Sequence, residues 1–175
     1  MGASSGTCLA SRVSRTVLAA IIVALPGGAA FADSNFRGFS ISDTFEQVQQ
    51  KAKADGYEIK VLPPVVATDD EQNHVFLRLN GETCASMVFG IKQSITQMDL
   101  YPCFYNGQNL ALQEVVSEFV DRFGGQPEVD AYQGSNCTNA EPLIYRGKTK
   151  EGELYEIFQD CVVAIRIKPG SRVQF

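Results

Sequence analysis

The chain has 175 residues, of which 45% are hydrophobic and 20% charged, and it carries a net charge of −5 at pH 7. This hydrophobic content argues against a low-complexity, disordered protein. The acidic balance, spread along the chain without a basic block, argues against nucleic acid and anionic membranes as partners, because both require a basic face.

Residues 1–32 have the pattern of a secretory signal peptide. Arg12 and Arg15 precede a short apolar run, and residues 30–32, Ala-Phe-Ala, form a small-x-small cleavage site. The apolar run is shorter than the roughly 20 residues of a membrane-spanning helix, although a retained anchor is the alternative. We therefore predict a bacterial periplasmic or secreted protein that starts at Asp33 and has no membrane span after cleavage.

The part of the chain after residue 32 has the size of one domain. It holds 143 residues, enough to bury a substantial hydrophobic core. Its net charge is −7, because the removed segment contains two arginines and no acidic residue.

The first half of this region predicts one helix followed by four strands. Ser42 and Asp43 are good N-cap residues, with Glu46 in the capping-box position, and Gly56 ends the helical pattern. Asn80-Gly81 is a strong hairpin signal between two alternating segments. The predicted strands are 57–62, 74–80, 82–89 and 95–101.

The second half repeats this order. Apolar residues at helical spacing from Leu112 to Phe123 predict a helix, which Gly124-Gly125 ends. Glu151-Gly152 stands at a hairpin position. The predicted strands are 128–133, 142–147, 153–159 and 162–168.

Corresponding positions in the two halves are 67–71 residues apart, which we interpret as a tandem repeat, with chance similarity as the alternative. The predicted fold is α+β, in one compact domain. Two tandem units, 33–105 and 106–175, each contribute one helix and a four-stranded antiparallel meander. The units form one sheet with the helices on one face.

Four cysteines follow residue 32, and an even number in an exported chain indicates disulfides. The hairpin register places Cys84 nearly opposite Cys103. A meander also brings the turns that contain Cys137 and Cys161 to the same edge. Zinc or redox chemistry is the alternative, but the chain lacks the close C-x-x-C pair common to both.

No set of residues specifies a reaction. His74 is the only histidine, which excludes a multi-histidine metal site. It follows a loop with Asp69 and Asp70, which predicts either a solvated turn or a weak calcium or proton-linked site; the loop lacks EF-hand spacing. We predict no catalytic residue, no metal and no cofactor.

Aromatic residues cluster at the junction between the two predicted units. Such residues are enriched in binding surfaces because they supply a large contact area at small entropic cost. The alternative is a hydrophobic hinge packed between the halves. The predicted partner surface comprises Tyr101, Phe104, Tyr105, Tyr132, Asp69 and Asp70.

The segment Gly38 to Asp43, G-F-S-I-S-D, opens a helix and meander in an exported acidic chain. This layout resembles bacterial periplasmic proteins of the β-lactamase-inhibitor-like type and, unit by unit, small outer-membrane assembly lipoproteins. The resemblance covers nearly all of the chain after residue 32 but rests on order and spacing. Inhibitor members carry two helices per unit and a contact loop without a counterpart here, so no inhibitory activity or contact residue is transferred.

This resemblance implies a scaffold that presents a sheet surface and loops to another protein. We therefore expect a non-enzymatic, protein-binding or inhibitor-like protein, with an unknown partner in the cell envelope and an unknown oligomeric state. The alternative is a small secreted enzyme with an unrecognised carboxylate or hydroxyl site. A deep pocket with convergent titratable groups would distinguish the enzyme.

Overall fold

The computed structural model describes residues 34–63, 73–90, 93–131 and 143–170. These residues form an eight-stranded antiparallel sheet with the order β1-β2-β3-β4-β8-β7-β6-β5. The helices are α1 (Phe45–Ala54), α2 (Pro102–Tyr105) and α3 (Leu112–Phe123). The strands are β1 (Glu58–Leu62), β2 (Asn73–Leu79), β3 (Glu82–Phe89), β4 (Ile95–Leu100), β5 (Glu128–Ala131), β6 (Leu143–Lys148), β7 (Leu154–Gln159) and β8 (Val163–Lys168).

The predicted strands are confirmed, and their described ends agree to within two residues. Asn80 and Gly81 have φ values of 52° and 86° between β2 and β3. Two successive positive φ values are the requirement of the tight hairpin turn that matches the twist of its strands. The local sequence therefore determines this hairpin.

The start of α1 differs from the prediction. Thr44, and not Ser42 or Asp43, is the N-cap: its hydroxyl accepts a hydrogen bond from the Gln47 N–H at 3.3 Å, and the Gln47 side chain accepts one from the Thr44 N–H at 2.8 Å. This reciprocal pair is a capping box shifted by one residue. The Asp43 carboxylate instead pairs with Lys51 at 2.7 Å.

Alternate strand residues and the helices form the main hydrophobic core. Side chains in a strand point to opposite faces with a period of two, and one of these faces is apolar. The buried residues of α1, α2 and α3 belong to the same cluster. Its strand members include Val75, Leu77, Met87, Met98, Ile157, Ile165 and Ile167, and its helix members Val48, Ala52, Phe104, Val115, Val116 and Phe119.

The predicted arrangement of two helix-meander units with the helices on one face is wrong. The described residues form mostly one eight-stranded antiparallel sheet with three helices, and β4 pairs directly with β8, Leu100 lying opposite Ile165, so the strand pairing does not separate two units. A third helix, α2, occupies the segment assigned to the junction. Pro102 begins it, since proline is favoured in the first turn, and the Cys84–Cys103 disulfide ties it to β3.

The segment before α1 is fastened to distant parts of the chain. The Ser34 N–H and hydroxyl donate hydrogen bonds to the Glu153 carboxylate at 2.7 and 2.9 Å. Phe36 packs against Phe123, with ring centroids 4.6 Å apart.

None of the described helices combines the length and the apolar character needed to cross a membrane.

Candidate binding surface

The strand residues that alternate with the core residues form the second face of the sheet, which we call the polar face. The buried residues of α1, α2 and α3 belong to the main core cluster. Tyr101, directly after β4, packs on the polar face. The strand residues of this face include Phe76, Ser86, Gln97, Asp99, Arg146, Glu156, Phe158, Arg166 and Lys168.

A row of alternating charges crosses the polar face. Arg166 donates two hydrogen bonds to Asp99, at 2.8 and 3.2 Å. In the same row, Arg146 donates to Glu156 at 3.1 Å and to Asp130 at 2.6 Å. Opposite charges on neighbouring strands stabilise a sheet. The row therefore pairs two arginines with three carboxylates and gives this part of the face a small negative charge.

An apolar strip lies beside the charge row. Ile144, Phe158 and Ala164 are buried together, and Tyr101 packs against them. The Arg166 guanidinium lies 5.2 Å from the centroid of the Phe158 ring, within the range of a cation–π contact. The Arg166 side chain therefore contacts both the apolar strip, at Phe158, and the charge row, at Asp99.

A groove of about 570 Å³ lies at the end of the polar face that carries Tyr101. We call it the Tyr101 groove. Val162, in the turn between β7 and β8, is 45% exposed at this groove, and Glu82 provides a carboxylate. The lining residues are Phe76, Glu82, Thr83, Tyr101, Pro102, Cys103, Gln108 and Val162.

The structure separates the residues of the predicted partner surface. Tyr101 lines the groove, whereas Phe104 is 1% exposed in the main core. Tyr105 donates its hydroxyl to the Val163 carbonyl at 2.8 Å, and burial raises its pKa. Phe104 and Tyr105 therefore pack α2 onto the sheet. The remaining three residues, Tyr132, Asp69 and Asp70, lie outside the described residues.

The predicted disulfide between Cys84 and Cys103 is confirmed, with the Cα atoms 5.0 Å apart. Cys161 is also disulfide-bonded. Its expected partner, Cys137, lies outside the described residues, so that pairing stays a prediction.

His74 packs against the groove residue Phe76, with ring centroids 4.4 Å apart.

Within residues 34–63, 73–90, 93–131 and 143–170, no group of three or more His, Cys, Asp or Glu side chains is placed to hold a metal ion. No protein-family model matches the sequence, and comparisons with curated proteins and with solved structures find no significant similarity. The resemblance to inhibitor-like proteins accordingly stays a prediction.

Sequence reasoning missed most of the groove and the charge row. Phe76 and Arg166 were each at a polar-face position of a confirmed strand, so alternation contained the signal. Val162 was predicted to be the first residue of a strand, but the structure places it in the turn before β8. Its meeting with Tyr101 depends on the pairing of β4 with β8, which no local pattern encodes.

Proposed function

We propose that this protein is an exported, non-enzymatic binding protein that holds a partner protein of the cell envelope in the Tyr101 groove. The observation that carries the proposal is the set of partly exposed apolar side chains Phe76, Tyr101 and Val162 around one groove. Protein interfaces are enriched in aromatic residues that fill or line such pockets, surrounded by a polar rim. The charge row would supply part of that rim.

The charge of the groove indicates the chemistry of the partner. Glu82 is exposed at the groove, and the whole chain is acidic. Complementary charges steer a partner toward a surface and fix its orientation. The partner therefore presents an apolar side chain to the groove, with a lysine or arginine beside it that faces Glu82.

Export is supported by the cysteine chemistry. A disulfide joins Cys84 to Cys103, and Cys161 is disulfide-bonded as well. Disulfides persist in the periplasm and outside cells and are rare in the cytosol. The signal-like pattern of residues 1–32 and the resemblance to periplasmic binding proteins favour the same compartment.

The partner can be identified by site-specific crosslinking in living cells. Gln108 lines the groove and is exposed, and Gln113 is an exposed residue of α3 outside it. A photoreactive amino acid in place of Gln108 is expected to capture the partner, whereas the same residue in place of Gln113 is not. Capture alone identifies a candidate, so affinity must then be measured with the purified protein.

The decisive comparison uses two exposed valines. Val162 lies in the groove, whereas Val129 is an exposed residue of the edge strand β5. Val162→Asp places a charge in the proposed contact and is expected to weaken binding of the purified partner by at least about tenfold, as for an interface hot spot. Val129→Asp is expected to leave the affinity unchanged. Equal affinities of the two variants for the captured protein would refute the proposal.

A further inference from the structure

We infer that a cavity beneath α3 binds a small organic carboxylate whose apolar body is about the size of one aromatic ring. The cavity shares no lining residue with the Tyr101 groove, so this site is independent of the proposed partner. Its lining residues are Phe36, Arg37, Leu100, Phe104, Tyr105, Leu110, Val115, Glu118, Phe119, Arg122, Phe123 and Ile165.

The body of the ligand follows from the size and lining of the cavity. Its volume is about 110 Å³, and an engineered apolar cavity of about 150 Å³ in another protein admits benzene. Leu100 and Ile165 supply part of the wall from the sheet, and Val115 and Phe119 supply part from α3. These four side chains are apolar and buried, so the interior favours a hydrocarbon group over a polar one.

The charge of the ligand follows from the exposed residues of the lining. Arg37, Glu118 and Arg122 are exposed, which places them at the solvent end of the cavity with a net charge of +1. This local excess of positive charge occurs in a chain whose net charge is −5. Guanidinium groups bind carboxylates with strong, charge-assisted hydrogen bonds. A carboxylate at this end would lie between the two arginines.

The backbone at Arg37 is a second, independent indication. Arg37 and Gly38 have φ values of 51° and 91° in the tight turn between Phe36 and Phe39. The first of these positions favours asparagine, aspartate or glycine, because a larger side chain is strained at positive φ. Strained residues are concentrated at ligand sites, and this one carries a guanidinium to the cavity.

Neighbouring groups hold both arginines near the opening. Arg37 donates a hydrogen bond to the Phe104 carbonyl and lies 6.0 Å from the centroid of the Phe104 ring. Arg122 lies 5.2 Å from the centroid of the Phe123 ring. Each guanidinium therefore rests against an aromatic residue of the cavity lining before any ligand is present, and less ordering is needed when a carboxylate binds.

The test is a titration of the full chain with benzoate, followed by the methyl signals of Val115 and Ile165 in NMR spectra. These two signals are expected to shift, and those of Val129 are not. Benzamide, which is neutral and has nearly the same shape, is expected to bind about tenfold more weakly, because it lacks the charge that the arginines stabilise. Benzylamine, a cation, is expected not to bind.

Variants of exposed residues of α3 test the charge assignment while sparing the core. Arg122→Gln is expected to weaken benzoate binding about tenfold, and Glu118→Gln to strengthen it about twofold by removing a like charge. Lys53→Gln, which removes a cation of α1 outside the cavity lining, is the matched control and is expected to have no effect. Failure of millimolar benzoate to shift the two methyl signals, or equal binding of benzamide, would overturn the inference.

Discussion

At the scale of single residues, Glu153 has a buried carboxylate whose contribution to the stability of the fold depends on its hydrogen bonds. Glu153 is 3% exposed, and its carboxylate accepts hydrogen bonds from Ser34 and Thr149. Burial alone raises the pKa of a carboxyl group, but here the hydrogen bonds from Thr149 and Ser34 outweigh burial and lower it. The ionised form is therefore the one that the folded protein stabilises.

This pKa shift predicts a pH dependence of stability. Because the pKa is lower in the folded than in the unfolded state, the stabilisation is present above the unfolded value and is lost as the pH falls through the folded value. Glu153→Gln is expected to reduce the free energy of unfolding at pH 7 by about 1–3 kcal/mol. Urea unfolding should show that this difference shrinks in acid.

Glu151→Gln provides the control, because Glu151 is an exposed carboxylate in the same hairpin. It is expected to change the free energy of unfolding at pH 7 by less than about 0.5 kcal/mol. If the wild type and Glu153→Gln lost stability in parallel between pH 7 and pH 3, the assignment of a lowered pKa to Glu153 would be wrong.

At the scale of elements, the approach of α3 to the β6–β7 hairpin requires a glycine. A Cβ atom on Gly125 would lie 2.3 Å from the Lys148 carbonyl oxygen, and φ at Gly125 is 97°. Gly152 has the same φ, but nothing lies within 4 Å of its Cβ position. A comparison of the two glycines therefore distinguishes the cost of a positive φ, which both share, from the cost of a steric clash, which only Gly125 would suffer.

Alanine substitutions at these two glycines are expected to differ in cost. Gly152→Ala should lower the free energy of unfolding by about 1–2 kcal/mol, the cost of a left-handed conformation for a residue with a Cβ. Gly125→Ala should lower it by about 1–3 kcal/mol more, because the backbone must also move. Urea denaturation measures both values, and equal costs would contradict the close approach described for Gly125.

Local sequence patterns predict the helices and strands well, but they predict poorly which distant elements pack or pair with one another. Alternation and caps are encoded within a few residues, which is why the strands and α3 agree with the prediction. Helix α2 was missed because its four residues, Pro102–Tyr105, are too few to show a helical period. The pairing of Leu100 with Ile165 joins distant segments, so this strand pairing and the Tyr101 groove could not be read from local sequence, although Tyr101 itself was identified.

At the scale of the whole molecule, export and oxidation can be tested together. The intact mass of the protein recovered from the periplasm or medium is expected to correspond to a chain that starts at Asp33 and has no free thiol. Peptide mapping without reductant should join Cys84 to Cys103 and Cys137 to Cys161. A mature protein that retains Arg12, or one recovered from the cytosol fully reduced, would contradict the proposed compartment.

The tether between Ser34 and Glu153 spans 119 positions of the sequence, and it bears on how quickly the protein matures. Contacts between distant segments slow folding, because a long loop must close before they form. Ser34 cannot form its hydrogen bonds to Glu153 until the β6–β7 hairpin brings that carboxylate into place. A newly made chain is therefore expected to stay open at this tether for longer than at its local contacts, which would suit the proposed export, because a translocation channel accepts an unfolded chain.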